Sequence, residues 1–289
     1  MSLTSLFQNP TSLIRRFRYR TIYTRSLCVL LLFICLSLGV GYLFYLNPVY
    51  CSIGSGGIVL LLFFLNRLHE SVLLIRAYEA HGRAYKHIYT KIDSFTEALG
   101  LKIRYRLYVR KGGTYAKLYS VFGIKRLIIG LDLITSKLPE EEINFIIAHE
   151  FARYKIKRVF LPIYSEVLDD IKRLFVFNFF IYPFERSVVY TADRIASLIS
   201  GSHEHCVKVI KVDMLGIAFK ELHSDDFLVL SEPKFDLVSF LVEFFSRRPN
   251  PAKRIAEIID FYNNFKILYS KRHESDGLTN KEQPITLNI

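Results

Sequence analysis

Leu27 to Leu46, LCVLLLFICLSLGVGYLFYL, runs for twenty residues without a charge. A helix of about twenty apolar residues matches a bilayer core about 30 Å thick, so this run reads as a membrane-spanning helix. Asn47-Pro48 marks a turn. A second uncharged run, Val49 to Leu65, follows at once; it is shorter and glycine-rich at its start. The gap is too short for a folded loop, so the two runs predict a helical hairpin whose ends lie on the same side. Residues 1–26 carry Arg15, Arg16, Arg18, Arg20 and Arg25 and no acid, and Arg67 and Arg76 follow the hairpin. This asymmetry places both termini in the cytoplasm by the positive-inside rule. A cleaved signal peptide would need a shorter apolar region and a small-residue cleavage site.

The remainder is long enough for one large domain, and 51% apolar residues supply a core. The net charge of +12 fits either nucleic acid or an anionic membrane surface. Cys28, Cys35, Cys51 and Cys206 show no regular spacing, which excludes a disulfide framework and a CxxC metal site.

Leu68 to Leu101 has a mixed, helical pattern and predicts one long amphipathic helix. His69, His81 and His87 fall on it at spacings that do not stack on one face. Residues 102–135 change period. IRYRLYVRK alternates basic and apolar side chains, as a half-exposed strand does, and two more short strands follow around Gly123. Arg104, Arg106, Arg110 and Lys111 form a basic strand face. It lacks the aromatic signatures of nucleic-acid binding, so anionic lipid headgroups are its expected partner and nucleic acid is not.

Glu140 to Arg158, EEEINFIIAHEFARYKIKR, predicts a helix with three glutamates in its first turn and basic residues in its last. Ile143, Ile146, Ile147, Phe151 and Tyr154 make an apolar stripe. Glu150 falls inside that stripe and needs a partner there. Beyond it, the Phe-rich run ending at Phe184 is too short to cross a bilayer and suits a core helix or an interfacial segment. Ser187 to Gly201 predicts another helix, with Asp193 at the edge of its apolar face. His203, His205 and Cys206 are placed in a solvated loop. A last helix is expected from Pro251 to Leu268, with a disordered polar tail after Lys271.

His149-Glu150-Phe151-Ala152-Arg153 is one letter from H-E-x-x-H, in which two histidines one turn apart hold zinc and the glutamate activates water. Two further stretches extend the likeness, ERSVVYTADRIA and SRRPNPAKRIAEI. Together, in this order, the three resemble the HtpX and CAAX prenyl protease family of membrane zinc metallopeptidases. Its motifs read E-E-L-x-A-V-L-A-H-E-x-G-H, S-R-x-x-E-x-x-A-D and T-H-P-x-x-x-x-R-I. Arg186, Ala192 and Asp193 match the second motif; Pro249, Arg254 and Ile255 match the third. The resemblance covers about Leu68 to Ile259. It implies a mainly α fold with a small β-sheet, a membrane hairpin and a zincin-like domain.

The departures fall on the ligands. His149 and Glu150 stand at the first-ligand and general-base positions, but Arg153 replaces the second ligand. Val189 stands where the family has its third, and Arg248 where it has a histidine before proline. A catalytic zinc needs three protein ligands, and one remains. Arg153 keeps its charge in any protein, so it is expected to take over the metal's structural role, with Glu150 and Asp193 as its acceptors. Four segments follow: a basic segment 1–26, the hairpin 27–66, a metallopeptidase-like domain 67–270 and a polar tail 271–289. The expected protein is a membrane-anchored pseudopeptidase without a cofactor, serving as a binding or regulatory module, with a protein or peptide in the former cleft. The alternative is a working zinc endopeptidase that borrows His203, His205 or Glu185 as ligands.

Overall fold

The computed structural model describes residues 21–47, 77–81, 85–121, 124–135, 138–162, 178–215 and 249–275, with isolated residues at 14, 18 and 246 and between 49 and 75. Among these the chain is mainly helical with one four-stranded sheet, an α+β arrangement.

Helix α1 (Ile22–Leu46) contains the first apolar run. Its span Ile22–Tyr45 has a mean hydropathy of 2.6, and among the described residues it is the one helix long and apolar enough to cross a membrane. The second expected span, 49–65, lies mostly outside the described residues; Val49, Ile53, Leu61 and Phe64 are helical and exposed. Only the start of α1 packs on the domain. Ile22, Ser26 and Val29 are buried, whereas Leu38 is 68% and Tyr45 86% exposed. The Arg25 guanidinium donates to the Pro183 carbonyl (2.9 Å) and the Ser187 hydroxyl (2.7 Å), which fixes the helix against the domain.

The long helix expected over 68–101 does not form as such. Strand β1 (Ala77–Glu79) interrupts it, and α2 occupies Lys86–Ala98. Tyr78 pairs with Val109 across strands, so pairing with a distant strand overrides the local helical pattern. Strands β2 (Tyr105–Arg110), β3 (Ala116–Val121) and β4 (Ile124–Gly130) complete the sheet in the order β1-β2-β4-β3. The β2–β4 pair is parallel and the other two are antiparallel. Leu107, Val109, Ala116, Leu127 and Ile129 turn into the core, and alternation sends Arg106, Arg110 and Lys117 to the other face. The β2–β3 turn folds tightly onto the sheet through Gly112 and Gly113, both at positive φ. A Cβ at Gly130 would collide with the Gly113 carbonyl, so a glycine is required there.

A short helix α3 (Leu131–Thr135) leads to α4 (Glu140–Phe160), the expected central helix. Its buried face coincides only in part with the stripe read from the sequence. Ile147 and Phe151 of that stripe are buried, together with Phe145, Ala148, Ala152 and Ile156, while Ile143, Ile146, Tyr154 and Glu150 are half-buried. The helix packs on α5 as well as on β3, so two faces compete for its apolar side chains.

Helix α5 (Asn178–Ser200) begins nine residues before the expected Ser187 and carries Pro183 in its interior. Ile181 and Phe184 are fully buried, so the described end of the Phe-rich run is core. Residues 202–206 are no loop: α6 spans His203–Leu215, and Cys206 is fully buried. Gly201, at φ +77°, ends α5, and the Ser202 hydroxyl accepts the His205 amide to start α6. Helix α7 (Pro251–Ser275) runs seven residues past the expected Leu268, into what was read as tail. Its start is capped by Asn250, whose side-chain oxygen accepts the Ala252 amide at 2.9 Å. Residues 276–289 of the expected tail and Arg248 lie outside the described residues.

Candidate functional site: an ion-pair chain between two helices

Helices α4 and α5 are antiparallel, and each presents functional side chains at four-residue spacing. His149, Arg153 and Lys157 line one face of α4; Asp193, Val189 and Glu185 line the facing side of α5. Two contacts fix the register. His149 Nε2 lies 3.2 Å from Asp193 Oδ1, and Lys157 Nζ lies 2.9 Å from Glu185 Oε1. Between these, the register sets Arg153 opposite Val189, the two positions at which the family pattern would have ligands.

The charges form a chain. Arg254, from α7, donates from Nε and Nη2 to the two oxygens of Asp193, each at 2.8 Å. Asp193 faces His149, whose Nδ1 lies 3.7 Å from Glu150 Oε1. Arg153 Nη1 donates to the same Glu150 oxygen at 2.8 Å, and its Nη2 lies 3.8 Å from Glu185 Oε2. The Leu118 amide of β3 reaches the other Glu150 oxygen at 3.5 Å. Arg153 therefore pairs with Glu150, as its spacing implied. Its second acid is Glu185; the expected acceptor Asp193 is held instead by Arg254.

Burial works to raise both carboxyls but is outweighed. Arg153, then His149 and the Leu118 amide, hold Glu150 at about 2. Arg254 and His149 hold Asp193 at about 2. Burial works to lower His149, but Asp193 and Glu150 reverse it and raise its pKa. His149 Nε2 is close to Asp193 yet lacks a well-aligned hydrogen bond. The contact is thus an ion pair that strengthens when the imidazole is charged.

These side chains do not fit a catalytic zinc. A ligand imidazole must be neutral with a free nitrogen toward the metal, whereas both nitrogens of His149 face carboxylates that favour its protonated form. Arg153 puts a fixed positive charge one turn away, and Val189 offers no donor. The proposed substitute ligands are dispersed. His205 Nδ1 lies 3.4 Å from Glu142 at the start of α4, two turns from His149. His203 stacks on Tyr262 of α7, and Glu185 is held by Lys157 and Arg153. Among the described residues no group of three His, Cys, Asp or Glu side chains is placed to hold a metal ion.

Sequence reasoning missed Lys157 as a member of the chain, taking it for a helix-end charge. Its spacing of four from Arg153, like that of Glu185 and Asp193 around Val189, was the available signal. Compared with known proteins, the chain matches no family model and no curated protein.

Proposed function

We propose that the protein is a membrane-anchored, non-catalytic relative of the HtpX-like metallopeptidases that acts as a binding or regulatory module. The observation that carries this reading is the Arg153–Glu150 contact. A guanidinium stands where the zincin pattern has its second histidine, and it occupies the carboxylate that would activate water. Arg254 on Asp193, and Lys157 on Glu185, extend the same logic, since every acid around the old metal position already has a cationic partner. The anchor is the hairpin of residues 27–66, with both termini cytoplasmic; the exposed apolar surface of α1 supports its first half.

Metal analysis of detergent-purified protein tests the proposal, paired with a casein proteolysis assay. Substoichiometric zinc and no proteolysis are expected. Stoichiometric zinc that disappears in His149→Ala, together with proteolysis, would identify a working metallopeptidase and end this reading.

A further inference from the structure

The sheet face turned away from α4 holds a cleft of 340 Å³. Arg110, Lys111, Tyr115, Lys117, Tyr119 and Ile128 line it. Three cations therefore converge and no acid lines the space. Among the described residues none of the three enters an ion pair. The Lys117 ammonium lies 5.8 Å from the centre of the Tyr115 ring, which holds it over the cleft. At the rim Asp132 accepts the Gly113 amide at 2.6 Å, and the Glu150 carboxylate is close enough to Tyr119 to raise its pKa. Arg106 and Arg126, register partners on the same face, add to the positive potential.

The Arg110 end of the cleft points away from the end of α4 at which α1 leaves the domain. Arg194 donates to the Arg18 carbonyl and Arg25 to Ser187, so α1 runs antiparallel to α5 and leaves the domain beyond the C-terminal end of α4. Leu118 meets Glu150, and Lys125, which pairs with Ser120, lies over Tyr154, so β3 runs along α4 in the same direction. The strands thus stand along α1. Arg110 is five residues up β2 from Tyr105, the partner of Lys125. At about 3.3 Å per strand residue and 1.5 Å per helix residue, Arg110 lies more than about 20 Å from the α1 end of α4, and Tyr119, at the other end of the cleft, about 12 Å from it.

We propose that this cleft binds a phosphate-bearing small ligand reached from the aqueous side. The Arg110 fork and two lysine point charges match a phosphate dianion better than a single carboxylate. Burial, and then the Glu150 carboxylate, raise the Tyr119 pKa and keep its hydroxyl a donor. Ile128 and the two rings supply an apolar floor for an organic moiety, and the volume suits a small ligand. The site adjoins the His149 chain at Tyr119, which feels Glu150 and Arg153, but its three cations, Arg110, Lys111 and Lys117, take no part in that chain's ion pairs.

Pyrophosphate is the probe, titrated calorimetrically into the full-length protein in detergent and in phosphatidylcholine vesicles. Saturable binding is expected in both, weakening as salt rises. Lys111→Glu with Lys117→Glu should weaken it at least about tenfold. Both lysines are exposed, so the melting temperature should not change, which separates lost binding from lost folding. Absence of saturable binding overturns the proposal, as does binding indifferent to the double change. Attraction to phosphatidylserine vesicles without affinity for pyrophosphate would assign the cations to headgroups and equally overturn it.

Discussion

Arg153 Nη1 and Glu150 Oε1 lie 2.8 Å apart, three residues from each other on α4. The pair explains how a carboxylate can sit between the sheet and α5 without a metal.

Arg153→Ala should lower stability by about 1.5–3 kcal/mol, the range for a lost hydrogen bond to a charged group. Glu150 keeps the Leu118 amide and His149, which limits the cost. Unfolding followed by circular dichroism measures it. A change within experimental scatter would mean the pair is a surface contact of no consequence.

The register that puts Arg153 opposite Val189 makes a gain of function testable. Arg153→His combined with Val189→Glu should bind about one zinc per chain, because it completes three protein ligands. Arg153→His alone should bind none. Metal content after dialysis distinguishes them, and equal zinc in both variants would discredit the assignment of position 189.

Arg254→Ala should cost more, about 3–5 kcal/mol, since it strips a two-pronged partner from a buried acid. The Asp193 side chain is 1% exposed. Arg254→Lys should recover only part of the loss, because an ammonium cannot bond both oxygens in the plane of the carboxylate. Full recovery by lysine would show that charge alone matters.

Stability should peak in mildly acidic solution. The folded pKa of His149 is raised above its ordinary 6.5, so its contribution is complete below 6.5 and fades as pH rises through the raised value. Glu150 and Asp193 are depressed to about 2 from 4.5 and 3.8. Their contribution is complete above those ordinary values and fades as pH falls toward 2. Melting temperatures across this range should therefore decline on both sides. His149→Gln should flatten the alkaline slope and, because His149 also helps hold Glu150 and Asp193 down, soften the acidic one; an unchanged alkaline slope in that variant would transfer the effect to another group.

Topology can be read by cysteine labelling in intact cells. With the native cysteines replaced, Ser2→Cys and Ser275→Cys should both resist an impermeant reagent. Labelling at either position contradicts a cytoplasmic hairpin.

Several features were legible in the sequence because their cause is local. The uncharged run of α1, the alternation of β2 and the helical period of α4 depend only on which side chains follow one another. The likeness of His149-Glu150-Phe151-Ala152-Arg153 to a zinc motif was visible for the same reason. Other features depend on what lies opposite. Residues 77–79 form a strand because β2 offers an edge, and residues 203–206 begin a helix because Ser202 caps it and the core takes Cys206. Which second acid Arg153 meets, and which acid Arg254 holds, was settled by the antiparallel register of α4 and α5 and the approach of α7, which bring residues distant along the chain close together. Spacing along a chain records periodicity, whereas the partner of a buried charge is chosen by which helices pack together and in which direction.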